Sequence, residues 1–304
     1  MESTLGEICD WLKGIKFGYS ARDRFVLFTY IINAIIVILF LVSFFGKEKT
    51  AKIIFSKPSL VDWIPAKNVL VKIDGILLSL PVRIDYMLFV KSNVEREERE
   101  FASKLHFDNG FIMDLGANIG HYAIMLAKKY PKTKIIAVEA SASIFPLLKS
   151  NCKLNNLTNL VFYNRVISDR DDEIIEFFER DCLSTIQKQF LNALHIPLQQ
   201  INKEKVRTLT IDGLIENENI DQVMLLKMDI EGAEVLALKG ASSTLKEKKI
   251  KNMIIEYHNH SNRTYITNLL KNLGYSYSLH ERTTLFENKD LASGHIIATY
   301  PKQF

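Results

Sequence analysis

Residues 111–122, FIMDLGANIGHY, decide the fold of this chain. The apolar run at the start suits a buried parallel strand, Gly116 and Gly120 open a turn after it, and Tyr122 begins an apolar stripe with helical spacing. Open α/β sheets bind their ligands at such junctions between a strand and a helix. The segment therefore predicts an α/β fold with a ligand site at this turn.

The residues after the first glycine separate two classes of ligand. A dinucleotide fingerprint has a second glycine two positions later, where the backbone approaches the pyrophosphate, but this chain has Asn118 there. S-adenosylmethionine carries no phosphate, and its turn needs room beside Gly116 and an acid such as Asp114 near the ammonium group. The next predicted strand ends in Glu139, whose carboxylate can accept hydrogen bonds from both ribose hydroxyls. Glu139 alone suits either class; the turn favours S-adenosylmethionine.

Four motifs in sequence order carry a resemblance to a known family: DLGANIG (114–120), VEAS (138–141), NCKLNN (151–156) and KMDIEGAE (227–234). In this order they resemble the FkbM family of S-adenosylmethionine-dependent methyltransferases. The resemblance implies a class I (Rossmann-like) methyltransferase, with a seven-stranded, mostly parallel sheet and a terminal antiparallel strand. It also implies methyl transfer to sugar or polyketide hydroxyls. The cofactor contacts would come from Asp114, Gly116, Asn118, Gly120 and Glu139.

Three further residues are candidates for cofactor binding. Ser168 and Asp169 end the third predicted core strand, NLVFYNRVIS, and in class I methyltransferases that strand end lies beside the adenine. Glu95 stands where the family usually has an acid near the cofactor, although it is also one of several acids in the charged run EREERE. Ser168 and Asp169 could equally form a polar turn before Arg170.

The chemistry is predicted at the carboxyl end of the strand in QVMLLKMDIEGAE (222–234), where alternation puts Lys227 and Asp229 on one face. Burying either of them unpaired would cost several kcal/mol, so we expect them to pair. Asp229 is the preferred proton acceptor for a hydroxyl substrate. Glu256 and His258 end the following strand, and they leave two alternatives: a divalent metal held together with Asp229, or His258 as the base. We favour an arrangement without metal, because Lys227 already offsets the charge of Asp229.

A membrane helix is predicted near the N-terminus, because the segment from Phe25 to Phe45 contains no charge and is long enough to cross the ~30 Å hydrocarbon core. The basic residues that flank it are balanced, so charge does not set its orientation. A cofactor made in the cytosol places the catalytic domain on the cytoplasmic side of a single-pass protein. The predicted organisation is a tail (1–24), a transmembrane helix (25–45), a linker (46–66), a lead-in β-hairpin and helix (67–110) and a methyltransferase domain (111–304).

Composition limits the remaining function classes. The chain has 304 residues and a net charge of +4 without a long basic block, so no nucleic-acid partner is expected. The sequence predicts an O-methyltransferase that acts at the membrane on a hydroxyl, most simply that of a sugar or lipid-linked glycan. Its expected partner is therefore a small-molecule or glycan substrate. A nicotinamide-dependent oxidoreductase is disfavoured by Asn118. A non-catalytic scaffold is disfavoured because Asp114, Glu139 and Asp229 are all present.

Overall fold

The structure is a computed structural model that describes residues 18, 20–56, 68–82, 86, 96–107, 110–179, 184–186, 201–282 and 293–300, with the backbone alone for 42–56. The chain forms two compact units, Met1–Arg96 and Glu97–Phe304.

The first unit contains helix α1 (Ala21–Ser56) and an antiparallel hairpin of β1 (Asn68–Ile73) and β2 (Ile76–Pro81). Asp74 and Gly75 both have positive φ in the two-residue turn, as tight hairpins with twisted strands require. Ser20 and Asp23 cap the helix reciprocally, and Asp23 also accepts a hydrogen bond of 3.1 Å from the backbone N–H of Leu70. The helix start is therefore fastened to β1.

Helix α1 is longer than the uncharged segment that predicted it. It begins at Ala21 and continues to Ser56, into residues assigned above to a linker. The added turns contain Lys, Glu and Ala, which are good helix formers, and the sequence has no proline before position 58. The predicted membrane span ends at Phe45 because the apolar run ends there, but the helix itself continues beyond that point.

The second unit has, among its described residues, a seven-stranded sheet in the order β11-β12-β10-β9-β3-β4-β5. β12 runs antiparallel to both its neighbours and the other pairings in the sheet are parallel, which confirms the predicted class I sheet. The strands are β3 (Phe111–Leu115), β4 (Lys134–Val138), β5 (Leu160–Tyr163), β9 (Val223–Met228), β10 (Asn252–Tyr257), β11 (Ser276–Arg282) and β12 (Ser293–Thr299), and the helices are α2 (Arg96–Lys104), α3 (His121–Lys129), α4 (Phe145–Leu154), α5 (Ile211–Asn217), α6 (Glu234–Lys239), α7 (Ser242–Lys246) and α8 (His260–Asn272).

Both faces of the sheet are buried. Met113 and Leu115 of β3 pack into one apolar cluster, and Ile112, on the other face of the sheet, packs into another. Strands that are covered on both faces by helices need continuous apolar runs, as FIMDL and VMLLKM have. The polar groups of the site are consequently confined to the carboxyl ends of these strands.

The third predicted core strand is divided in the structure, which corrects the sequence-based assignment. β5 ends at Tyr163, and the next residues form β6 (Val166–Ile167), which pairs with β8 (Asn202–Leu209) in a separate three-stranded sheet completed by β7 (Ile174–Glu179). Asn164 causes the break, because its side-chain amide donates to the carbonyl oxygens of Glu139 and Ala140 at 2.8 and 3.0 Å. Ser168 and Asp169 therefore follow β6 rather than the third core strand.

Candidate active site

The turn after β3 brings the ends of two strands into contact. Gly116 has φ +80°, and a Cβ added there would lie 1.8 Å from the carbonyl oxygen of Asp229. Asp229 in turn donates its backbone N–H to the carbonyl of Leu115 at 3.0 Å. The space beside Gly116, which the sequence analysis assigned to a ligand, is therefore filled by the backbone that carries Asp229.

The rest of the turn is held by backbone contacts to β4 and α4. Asn118 has φ +49°, a conformation that asparagine tolerates better than most residues, and its backbone N–H donates to Glu139 Oε2 at 2.8 Å. Gly120 has φ +95°, and a Cβ there would meet Leu148 of α4 at 2.6 Å. These contacts place the predicted cofactor residues of the turn next to Glu139.

Glu139 lies buried just after β4. Its Oε1 accepts the backbone N–H of Ser141 at 2.8 Å, and Oε2 accepts that of Asn118. Burial raises the pKa of Glu139 to about 7, with the charge of Asp114 adding to it and the two backbone donors opposing it. Each carboxylate oxygen retains a second lone pair for a ribose hydroxyl, so this acid fits the cofactor that the turn predicts.

We expect Glu139→Ala to weaken S-adenosylmethionine binding by roughly 1.5 to 3 kcal/mol, the value of hydrogen bonds to a charged group. The affinity of the unmodified protein should also fall as the pH drops through about 7, since protonation removes the charged acceptor. Glu139→Gln should bind weakly at every pH. Calorimetry across this pH range measures both effects, and equal affinity of all three proteins would assign the ribose contact to another acid.

Lys227 and Asp229 pair as the burial argument predicts. Lys227 Nζ lies 3.4 Å from Asp229 Oδ2 and 4.0 Å from Asp114 Oδ1, and it also lies over the ring of Tyr122. Asp229 Oδ1 is buried and has no hydrogen-bond partner among the described residues. Lys227 thus pairs with one oxygen of Asp229, and the other oxygen is left without a hydrogen-bond partner among the described residues.

His258 lies just beyond β10 between carboxylates. Its Nε2 is 3.1 Å from Glu231 Oε2 and 3.7 Å from Glu256 Oε1, and its Nδ1 is 3.4 Å from Glu234 Oε1. The structure thus brings together the four predicted catalytic residues, Lys227, Asp229, Glu256 and His258. His260, two residues further along the chain, is exposed in the first turn of α8.

The environment raises the pKa of both Asp229 and His258, for different reasons. Burial raises the pKa of Asp229 well above its usual range and Glu256 raises it further, while Lys227 acts in the other direction. Burial alone would lower the pKa of His258, but the charges of Glu231 and Glu234 outweigh burial and hold it well above the ordinary value. The raised pKa of His258 favours its imidazolium form, which cannot accept a proton, and the raised pKa of Asp229 makes its ionised carboxylate a stronger proton acceptor.

Asp229, Glu231 and His258 also bring potential metal-ligand atoms within 4.8 Å of one another. A metal would need a neutral imidazole with a nitrogen lone pair directed at the ion. Both nitrogens of His258 face carboxylate oxygens, an arrangement that suits two N–H donors. These contacts are ion pairs when the imidazole is protonated.

Three buried residues of this region were missed by the sequence analysis: Glu98, Glu234 and His295. Glu234 accepts the backbone N–H of Gly232 at 2.9 Å and the side-chain amide of Asn262 at 3.2 Å, so it braces the turn after Asp229. Its signal was present as the last acid of KMDIEGAE. His295 had a weaker signal, an imidazole within the apolar strand GHIIATY.

The other predicted contacts have separate outcomes. Ser168 is buried and its hydroxyl donates to Asp169 Oδ1 at 3.3 Å, while Asp169 is exposed. Their contact with adenine stays a prediction. Glu95 lies outside the described residues.

The strand order and the turn define the class: the second unit has the fold of a class I methyltransferase. Residues 114–277 match the Methyltransferase FkbM domain family, which is more than half of the chain. The chain therefore belongs to the FkbM methyltransferase family, whose cofactor is S-adenosylmethionine, and the nicotinamide-dependent alternative is set aside.

Two relatives and one solved structure show how far the similarity extends. Methyltransferase 1 of Beauveria bassiana is 29% identical over 148 residues, which cover 44% of this chain and 59% of that protein. Methyltransferase sdnD of Sordaria araneosa is 26% identical over 193 residues, covering 55% and 74%. The structure of M. jannaschii TYW2 in complex with AdoMet has 15% identity and a TM-score of 0.41, covering 77% of this chain and 86% of that one. This chain thus spans less than two thirds of the first relative.

Proposed function

We propose that this protein is an S-adenosylmethionine-dependent O-methyltransferase whose substrate is a hydroxyl of a sugar or lipid-linked glycan at a membrane. The observation that carries the proposal is the Asp229 carboxylate, which has one oxygen paired with Lys227 and a second, buried oxygen without a partner among the described residues. An alcohol needs a proton acceptor when its oxygen is methylated, and this carboxylate supplies one.

The chain's own groups would divide the work of the reaction. When bound, the cofactor supplies an electrophilic methyl group on a positively charged sulfur. Asp229 Oδ1 accepts the proton of the substrate hydroxyl as its oxygen bonds to the methyl carbon and the carbon–sulfur bond breaks. Lys227, 3.4 Å from Oδ2, keeps the carboxylate oriented and lowers its pKa against the effect of burial. The protonated His258 is a charge partner for the surrounding acids rather than a base.

A transfer assay with methyl-labelled S-adenosylmethionine tests the substrate class. The full chain in native membranes should place label in the lipid or glycan fraction, in a form that resists mild alkali, because a methyl ether is stable where a methyl ester is cleaved. Alkali-labile label would show a carboxylate acceptor. Label confined to added transfer RNA would contradict the proposal directly.

Helix α1 supports the membrane part of the proposal. Its segment Ala21–Leu41 is, among the described residues, long and apolar enough to cross a membrane. Phe25, Ile36 and Phe40 are each more than 60% exposed there, a costly arrangement for aromatic and branched apolar side chains in water. We place the catalytic domain on the cytoplasmic side, where the cofactor is made.

We expect the full chain to resist extraction by alkaline carbonate, and Ile36→Lys combined with Phe40→Lys to abolish that resistance. A lysine near the centre of a span costs about 2.5 to 3.5 kcal/mol, so two of them should defeat insertion. Ile174→Lys on β7 is the matched control, since Ile174 is 60% exposed in the second unit and its change should leave extraction unaltered. Complete extraction of the unmodified chain would exclude a spanning helix.

A further inference from the structure

Two successive histidine–carboxylate contacts connect helix α2 with the candidate acceptor site, which is the site formed by Asp229, Glu256 and His258. Glu256 on β10 and His295 on β12 are directly paired in the antiparallel register, so their side chains lie on one face of the sheet. His295 Nε2 is 3.4 Å from Glu256 Oε2, and His295 Nδ1 contacts Glu98 Oε1. Both nitrogens of His295 therefore face carboxylate oxygens.

These groups are buried deeply enough to act strongly on one another. Glu98, Glu256 and His295 are exposed by only 4%, 7% and 3%. Burial of an ionised carboxylate costs several kcal/mol unless an opposite charge compensates it. Removing one partner therefore leaves the other with an uncompensated buried charge. A change at His295 should therefore alter the charge state of Glu256 rather than merely remove a contact.

Glu256 faces the acceptor site with its other oxygen. Oε1 lies 3.7 Å from His258 Nε2, and the charge of Glu256 contributes to the raised pKa of Asp229. A single carboxylate thus contacts the interior imidazole of His295 on one side and the site imidazole of His258 on the other.

We propose that Glu98 and His295 are positioning residues of the acceptor site, which hold the Glu256 carboxylate in its charged form and directed at the imidazole of His258. The inference rests on the proposed function of that site. Glu98 orients His295, His295 compensates Glu256, and Glu256 stabilises the charged ring of His258 beside the base Asp229. Neither Glu98 nor His295 needs to touch the substrate.

The direction in which the pKa of His258 shifts when His295 is removed distinguishes this mechanism from the direct electrostatic effect of losing a charge at His295. The charged groups that face His258 are Asp229 and Glu231 after β9, Glu234 on α6 and Glu256 on β10. Without His295, Glu256 takes up a proton at higher pH and stops stabilising the His258 imidazolium, so His258 should lose its proton at lower pH. Direct loss of a positive charge at His295 would instead raise that pH.

The test is an NMR titration of the imidazole resonances of the full chain in detergent, with the seven histidines assigned by substitution. We expect His295→Gln to lower the titration midpoint of His258 by about 0.5 to 1 pH unit. Glu98→Gln should act in the same direction and serves as the second variant if His295→Gln does not fold. In a Glu256→Gln background, His295→Gln should produce no further downward shift.

His280→Gln is the matched control. His280 lies opposite His295 in the register of β11 and β12 and contacts Glu97 of the same helix, but these side chains are 32% and 63% exposed. His280→Gln should leave the titration midpoint of His258 unchanged. An unchanged or raised midpoint in folded His295→Gln, or a downward shift that survives in Glu256→Gln, overturns the proposal. The titration needs no methyl acceptor, so a wrong substrate class would not affect its outcome.

Discussion

Asp229→Asn is expected to reduce turnover by about 10² to 10⁴-fold while the affinity for S-adenosylmethionine changes by no more than a few-fold. The amide keeps the shape and the contact with Lys227, but it cannot accept the hydroxyl proton. The backbone of Asp229, which packs against Gly116, is unaltered by the change. Methyl transfer to the membrane fraction measures turnover, and calorimetry measures cofactor binding.

Asp221→Asn is the control for this substitution. Asp221 is exposed just before β9, at the opposite end of the strand, and its change should leave both quantities unaltered. Near-normal turnover in Asp229→Asn would refute the assignment of the base and also the alternative in which Asp229 holds a metal. Both place this carboxylate at the reacting oxygen.

A chelator distinguishes the two arrangements that the sequence left open. If Asp229 acts directly, EDTA should not change turnover. If a cation binds Asp229, Glu231 and His258, EDTA should abolish turnover, and added divalent ions should restore it. We expect the first result, because the charges of Glu231 and Glu234 raise the pKa of His258, whereas a metal would need the neutral imidazole.

The fold could be predicted where the hydrophobic pattern and the residues required by the backbone conformation indicate the same element. FIMDLGANIG alone specified a buried strand and a turn opened by Gly116 and Gly120, and the structure has both, with positive φ at the two glycines. The third core strand was not predictable from pattern, because NLVFYNRVIS remains apolar enough to be continuous. At its break the side-chain amide of Asn164 donates to the carbonyl oxygens of Glu139 and Ala140, just after β4. A contact of that kind leaves no periodic signal.

The site was predicted unevenly for a similar reason. Lys227 and Asp229 could be found because a charged pair at the end of an apolar strand is conspicuous in one segment. Glu98 and His295 become related only through strand register and helix packing across nearly two hundred residues. Each of them alone looked like an ordinary polar residue, so the sequence offered no way to join them to Glu256.

Gly116 gives the sharpest test of how the site is built. We expect Gly116→Ala to destabilise the second unit by about 4 kcal/mol or more and to abolish S-adenosylmethionine binding. The φ of +80° accounts for only about 1 to 2 kcal/mol of that cost. The remainder comes from a Cβ placed 1.8 Å from the carbonyl oxygen of Asp229, which must move and lose its backbone bond to Leu115.

Gly274→Ala isolates the contribution of the close contact. Gly274 has φ +79°, almost the same as Gly116, but the nearest atom to an added Cβ is a ring carbon of Tyr300 at 3.9 Å. Its substitution should therefore cost only the conformational strain and leave cofactor binding intact. Thermal unfolding followed by circular dichroism, with and without S-adenosylmethionine, compares the two variants. Equal destabilisation would mean that backbone conformation alone explains Gly116. A much larger loss at Gly116 would show that the turn and the base Asp229 depend on the same backbone contact, so that the cofactor site and the acceptor site cannot form separately.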